Sequence, residues 1–585
     1  TVNTLTTSGT ASISSGLAAS VFGKYGPSGD LLSLTLANAA GLLVKDGTTT
    51  FNMGTLVGPS TGSAYFHVLP GATLVVNASL TPAATGGFVL DNGGTMELGA
   101  TTGFFTGTVA INNGTLRLNS GQDNTLAVSA SAGAMGLPFV ALNGLNAVLD
   151  LGTKNQTVRG LSSSNQLPGM GGTVTGQAGA FLTTTDNSTF AGKISGGLNF
   201  VRSGNSTTTL TSASDYTGAT VVRGGTLQLI DGGSLASTAG LRLAQGTLTW
   251  NNYGLNAVDS PVRLNAANAV TLAGGTFTVI GGGSVDNIVN LDLVTAELGS
   301  VQINTNPYIS MGATNQITIG DFVLGSTGVR PSVNFNGWTT LNSGGTNTLG
   351  SPGLTASSIL KLTKINGTAF TAASMTNNLI GGWAVADGST FATYSDIFGI
   401  SQMGVNYYGY ASPGFTGTDI SAATSATGNY NDGTSRTLSG PKAAYSWRFS
   451  PGAAQTITLN SANVTLGVGI VTNANQTIIL QAADSTSSLT AAGSDLYVYT
   501  NQGTMNLNMT LTGTMNFVKS GGGTLALRTP TSAVSNDFQG TTFVNQGTLN
   551  LNAPPGGYVL IPNDLVVSGW GSGTNTAVTM LNNQS

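Results

Sequence analysis

The sequence predicts an all-β chain built as a solenoid, a rod of stacked coils. Three observations carry this. A short signature, Gly-Thr-apolar-polar-apolar, recurs from one end to the other. One texture of Gly, Thr, Asn, Ser, Leu and Val runs through the chain, with no stretch that reads as a linker. And no sustained i, i+3, i+4, i+7 apolar stripe appears, while the frequent Gly and Thr oppose helix formation.

The signature is clearest where it is written twice. YTGATVVRGGTLQL, from Tyr216 to Leu229, aligns without a gap with FQGTTFVNQGTLNL, from Phe538 to Leu551. Looser copies are MGTLV at Met53, GGTMEL at Gly93, NGTLRL at Asn113, QGTLTW at Gln245, GGTFTV at Gly274, QGTMNL at Gln502 and GGTLAL at Gly522. In each, Gly or Asn-Gly permits a tight turn with positive φ. Thr, apolar, polar, apolar then alternate with period two, which is a strand with one buried face. Gly225 to Gly246 is 21 residues (246 − 225) and Gly246 to Gly275 is 29 (275 − 246). That spacing fits one coil. A single coil cannot bury its apolar face, but stacked coils can, with Leu227 and Leu229 lying over the matching pair of the next coil. At ~25 residues per coil and about 4.8 Å of rise, the chain predicts roughly 23 coils in a rod about 110 Å long. A string of β-sandwiches is the alternative; it predicts composition shifts at junctions, and none is evident.

Composition bounds the function. Of 585 residues, 7% are charged and 40% are hydrophobic; charged residues usually make up ~25%. There is apolar material for a long core, and a surface built from Thr, Ser, Asn and backbone. The net charge is −4 and no basic run is present, so nucleic acid has little to hold it. No apolar run reaches ~18 residues, the length of a membrane-spanning helix. Cysteine is absent, which excludes disulfides and thiolate metal sites. TVNTLTTSGT at the start has neither a charged region nor an apolar signal region.

The segment from Thr371 to Phe449 differs by gathering aromatics, among them Trp383, Phe391, Tyr394, Tyr407, Tyr408, Tyr410, Phe415, Tyr430, Tyr445, Trp447 and Phe449. It divides the chain into a solenoid over 1–370, aromatic-rich wider coils or projecting loops over 371–450, and a second solenoid stretch over 451–585. The aromatics either stack in the core or form a sugar- or surface-binding face. Trp383, Tyr407, Tyr408, Tyr410 and Tyr430 are the candidate surface-binding residues.

NFVKSGGGTLALRTPTSAVSNDFQGTTFVNQGTLNL, from Asn516 to Leu551, resembles the autotransporter-associated β-strand repeat, which runs Lys-x-Gly-x-Gly-Thr-Leu-x-Leu, a variable turn, aromatic-x-Gly-x-Thr-x-Val and Gly-Thr-Leu-x-Leu. The copy from Asn199 to Leu229 departs from it, with Arg202 for the Lys and NSTTTL where the first Gly-Thr-Leu would stand. STFAGKISGG from Ser188 and LIGGWAVADGSTFATYSD from Leu379 are also similar to segments of such proteins. The resemblance implies a right-handed parallel β-helix, exported by bacteria and displayed or released outside the cell, acting as an adhesin or a structural fibre.

Catalytic chemistry finds few groups. His67 is the only histidine, so triads and multi-His metal sites are nearly excluded, and His67 in an alternating strand reads as structural or surface. Polysaccharide-cleaving β-helices need clustered carboxylates. Only Glu97 and Glu297 are glutamates, and Asp286 with Asp292, then Asp387 with Asp396, are the nearest aspartate pairs; Asp150 could meet a neighbour one coil away. GGGSVDNIV at Gly281 approaches a calcium-binding nonapeptide but has Ser284 where a Gly belongs and is not repeated. SGGGT at Ser520 lacks the Lys-Ser/Thr of a phosphate loop. Arg202 and Lys519 occupy equivalent repeat positions and read as solvated markers of one rod edge. No catalytic, cofactor or metal residue is assigned.

Both ends have strand-like texture without a polar capping unit, which predicts edges that pair with another chain. The expected function is therefore a non-enzymatic structural protein of the bacterial surface, joined end to end with copies of itself into a filament. An adhesin binding glycans or cell surfaces through the aromatic segment is the second expectation, and a polysaccharide-degrading enzyme the third.

Overall fold

The computed structural model describes the chain except residues 1, 8, 10, 15–32, 53, 60, 83–85, 128, 132–133, 166, 254–261, 282–285, 307–313, 327, 338–356, 408–409, 529–533, 554–557, 569–575 and 581–585. Among the described residues the fold is all-β, apart from two short 3-10 turns at Ala372–Ser374 and Ile420–Ala422. Parallel strands stack as a β-solenoid of about 19 turns, near 31 residues each (585 / 19). The expected 23 was too many because the turns carry more irregular chain between strands than the shortest Gly-to-Gly spacing suggests. The chain divides into two compact units, Thr1–Arg242 with Leu248–Asn256 and Pro261–Asn268, and Leu243–Thr247 with Ala257–Ser260 and Ala269–Ser585.

In the first unit, period-two alternation becomes apolar columns. One sheet pairs eight parallel strands in the order Ala11–Ser14, Thr48–Asn52, Thr73–Val76, Thr95–Leu98, Gly114–Leu118, Ala147–Asp150, Thr173–Gly176, Lys193–Gly196. Register places Leu74, Met96, Leu116, Leu149, Val174 and Ile194 one over another, all fully buried. A second sheet builds the column Leu42, Phe66, Leu90, Ile111, Leu142. Burying one such side chain contributes about 1.5–3 kcal/mol, which no coil gathers without a neighbour. The outward positions carry polar residues: Arg117 bridges Glu97 at 3.6 Å and Asp150 at 3.2 Å across three successive rungs. His67 lies on the outward side beside Tyr65 and meets Asn92 at 3.2 Å, in the structural role its strand pattern indicates. The Asn199–Leu229 repeat pairs Leu210 with Leu229, but Leu227 lies over Thr208.

The second unit holds two stacks. The earlier one contains Asn287–Leu298, Thr314–Leu324 and Ser357–Ile365 in one parallel ladder and Ser300–Asn306, Ser332–Asn336 and Ala384–Ala386 in another. The later one pairs seven strands from Arg436–Ser439 to Ala577–Met580 in one sheet, with Ile457, Leu480, Leu507, Leu527 and Leu551 in a column. The two stacks pack flank to flank and in opposite order. Ser332, early in the first stack, meets Ser520 and Asn545, late in the second. Ser389, later in the first, meets Arg448, early in the second. Within this unit the coils therefore double back and do not form one uninterrupted run.

The aromatic segment makes the turn. Thr390–Ser395 pairs antiparallel with Gly399–Gln402, which ends parallel stacking at that side. The 3-10 turn Ile420–Ala422 lays Ile420 and Ala423 over the opening coil of the second stack, both fully buried. The segment is thus an end-closure and a restart, and four of its aromatics are core: Phe391, Tyr394, Trp447 and Phe449 are all under 5% exposed.

Close coil contact also requires glycine at particular rungs. Gly469 has φ +148°, and a Cβ there would lie 1.9 Å from the Tyr497 carbonyl oxygen opposite it. Gly469→Ala is expected to cost about 1–3 kcal/mol and lower the thermal unfolding midpoint. Gly493→Ala, whose Cβ would meet nothing closer than 3.5 Å, should leave the midpoint unchanged in the same scan.

Candidate functional site

Two clefts line the seam between the stacks of the second unit. The Tyr499 hydroxyl donates to the Trp383 carbonyl oxygen at 2.8 Å and lies between them. The first, about 350 Å³, is lined by Val329, Arg330, Pro331, Trp383, Asp495 and Tyr497 among others. The Arg330 guanidinium holds the Asp495 carboxylate at 2.6 Å, both half-buried. Trp383 is packed from below, stacked on Phe322 at 5.4 Å and edge-on to Phe335 at 6.2 Å.

The second cleft, about 300 Å³, is lined chiefly by amides and backbone. Gln302 and Asn334 come from the first stack, with the Asp387–Gly388 turn. Asn473, Asn501, Gln502 and Gln546 come from successive turns of the second. These turn residues recur for the reason the sequence repeats: each coil places its corner directly over the last. Among the described residues Asp387 is the only charged one lining this cleft, and both its oxygens are engaged, by Gly337 N at 3.0 Å and Gln402 Nε2 at 2.8 Å. Asn334 accepts from Gly388 N at 2.8 Å, and Asn501 Nδ2 donates to the Gly388 carbonyl, so the two walls are stitched together.

Behind this wall is Lys519. Its ammonium is fully buried and donates to the carbonyl oxygens of Ser520 at 2.8 Å, Gly521 at 2.6 Å and Gln546 at 3.0 Å. Gly521 and Gln546 both line the cleft. Burial pulls the Lys519 pKa well below the ordinary lysine value. In the first unit Arg202 occupies the same repeat position, donates to Thr184 O at 3.1 Å and to Ser206 O, and is also fully buried. Its pKa is lowered by burial to about 10, with Asp186 opposing. The expectation that these cations mark a solvated edge is corrected: each is an internal clamp on turn carbonyls. Alternation held the signal, because Arg202 and Lys519 fall two residues after the inward-facing Phe200 and Phe517.

Of the candidate surface aromatics, Trp383 is 9% and Tyr430 8% exposed; Trp383 borders the first cleft and Tyr430 belongs to the core of the second stack. Tyr408, and the side chains of Tyr407 and Tyr410, lie outside the described residues, as does most of the GGGSVDNIV turn. Among the described residues no three His, Asp or Glu side chains are grouped to hold a metal ion, and Asp150 meets Arg117 rather than a second acid. The cleft amides were not singled out by sequence, since isolated Asn and Gln residues carry no spacing signature.

Burial also fixes a pH response. Tyr216, Tyr497 and Tyr499 have pKa values raised above the usual 10, first of all by desolvation. Such groups stabilise the fold fully below pH 10, and that contribution is lost as pH rises through their folded values. Alkaline titration is expected to leave the fold intact to about pH 10 and to ionise these tyrosines only as it unfolds, read by tyrosinate absorbance together with circular dichroism.

The comparisons agree with this architecture. The passenger-associated-transport-repeat family pattern matches residues 200–229 and 517–551. Each match contains one clamp strand-pair and its following coil. The chain is 35% identical to the Adhesin BmaC autotransporter of Brucella suis biovar 1 (strain 1330) over 173 residues. That similarity covers 27% of this chain and spans about 5% of the relative's length. No solved structure matches the chain. No described helix is long and apolar enough to cross a membrane. The repeats and the adhesin relative set the chain among bacterial surface or extracellular passengers. The chain is thus a β-solenoid that carries two passenger-associated-transport-repeat matches and is similar to autotransporter-passenger repeat proteins.

Proposed function

We propose that the chain is part of the passenger of a bacterial surface adhesin, and that it binds rather than catalyses. The observation that carries this is the seam of the second unit, where two stacks hold open a cleft lined by Asn334, Asn473, Asn501 and Gln502 with a single, fully engaged carboxylate. Such walls offer donors and acceptors but no free acid-base pair. The similarity to an adhesin supports the same reading. The test is adherence of beads coated with the purified chain to cultured host-cell monolayers. Adherence above that of beads coated with the unrelated protein albumin is the expected result; equal adherence would sink the reading.

End-to-end assembly into a fibre is the second reading. It is supported by the outermost described strands of the later stack, Leu565–Val567 and Ala577–Met580, where Val567 is 50% and Met580 64% exposed. A strand edge of that kind accepts a further strand, from a following coil or from a second copy. Negative-stain electron microscopy distinguishes these: fibres with a regular axial repeat support assembly, and isolated particles at high concentration contradict it.

A further inference from the structure

We propose that the amide-lined cleft beside Asp387 is a carbohydrate site that takes an uncharged oligosaccharide, an inference that rests on the adhesin reading above. A sugar hydroxyl both donates and accepts, and so does a carboxamide, which offers two N–H donors and one carbonyl acceptor. The cleft presents carboxamides from both walls, Gln302 and Asn334 on one side and Asn473, Asn501, Gln502 and Gln546 on the other. Three of them, Gln302, Asn473 and Gln502, make no side-chain hydrogen bond to another described residue and are half-buried or exposed. Their groups are available to a ligand without breaking the protein's own network. The remaining polar groups are held in place: Asn334 by Gly388 N, and Asp387 by Gly337 N and Gln402.

Charge selects the ligand class. The described lining contains no Lys or Arg, so a uronate, sialate or sulfate would lose hydration there without gaining a cation. The nearest ammonium, Lys519, is fully buried and spends its donors on carbonyls of the wall. A cationic ligand gains little from a carboxylate whose two oxygens are already engaged. A neutral chain of hydroxyls fits this balance. The volume of about 300 Å³ is at the small end for ligand sites, which suits the end of an oligosaccharide rather than a long bound stretch. Glycine makes the room. Gly521 forms part of the lining at φ +79°, and a Cβ there would come within 2.6 Å of Asn501 Oδ1.

The experiment is isothermal titration of the whole chain with maltohexaose, mannohexaose, galactohexaose and chitohexaose, and with hexagalacturonate as the anionic probe. The variant is Gln302→Ala/Asn473→Ala/Gln502→Ala, whose removed groups support no described contact, so its unfolding midpoint should match the parent's. Saturable binding of at least one neutral probe is expected, weakened by about tenfold or more in the variant, with no binding of hexagalacturonate. Absence of binding by all four neutral probes would overturn the proposal. So would equal affinity in the folded variant, or preference for hexagalacturonate. Bead adherence separates the two levels. If the variant adheres as well as the parent, the cleft proposal fails and the adhesin reading stands; if the parent itself does not adhere, the adhesin reading fails.

Discussion

Lys519→Ala is expected to destabilise the second unit by about 3–5 kcal/mol. The side chain is fully buried, so its truncation leaves a cavity and strips the donor from the carbonyls of Ser520, Gly521 and Gln546. An orphaned buried acceptor costs about 1–3 kcal/mol, and the cavity adds to it. Lys519→Met keeps most of the volume and should cost less, about 1–3 kcal/mol. Lys519→Arg should be the mildest, since Arg202 fills the equivalent place in the other repeat. Denaturant unfolding with hydrogen exchange across residues 516–551 reads this directly. The Met variant carries a second readout. Because burial lowers the folded pKa of Lys519, the unfolded chain binds more protons between that lowered value and the unfolded one. Stability therefore rises with pH across that window, and Lys519→Met should flatten the slope. Wild-type stability and slope in Lys519→Ala would mean the clamp contributes nothing.

Trp447→Ala is expected to cost a similar amount, about 3–5 kcal/mol, by emptying the first coils of the second stack. Trp447 is fully buried, packs on Phe449 at 4.7 Å and donates from Nε1 to Asp432 Oδ2 at 3.0 Å. Asp432 is itself fully buried and paired with Arg436 at 2.5 Å. Burial raises its pKa, with Trp447 and Arg436 opposing. Trp447→Phe retains ring packing and loses only the hydrogen bond to a charged acceptor, about 1.5–3 kcal/mol. The difference between the two substitutions separates packing from polar support. A Trp447→Ala protein that melts with the parent would show that the aromatic segment does not anchor this stack.

Much of the scaffold was legible because β-solenoids write their contacts locally. The strand period put Leu229 inward, and repetition put it over Leu210. Turn glycines announced the corners. What was not legible depended on long-range placement. The doubling back of the second unit rests on contacts such as Arg330 with Asp495 and Ser332 with Ser520, which leave no periodic trace. The aromatic cluster pointed to something unusual but not to its burial, since Trp, Tyr and Phe suit both a core and a contact face. The candidate cleft was hidden for the same reason: its amides come from turns far apart in sequence and become neighbours only after the stacks meet. The burial of Lys519 is written in its strand position, which shares the face of Phe517, although its charge alone favours an exposed edge.

The two stacks of the second unit lie flank to flank in opposite order, and a single cross-link between them tests that packing most directly. Ser332 and Ser520 are both fully buried there, with hydroxyl oxygens 2.8 Å apart. The chain contains no cysteine, so a Ser332→Cys/Ser520→Cys pair reports without background. Disulfide geometry tolerates little misplacement. Mild oxidation of the folded double variant should give a near-complete intramolecular disulfide, seen by mass spectrometry after proteolysis, while each single variant stays monomeric and reduced. Two free thiols in a folded, oxidised double variant would contradict the packing and, with it, the cleft the stacks enclose.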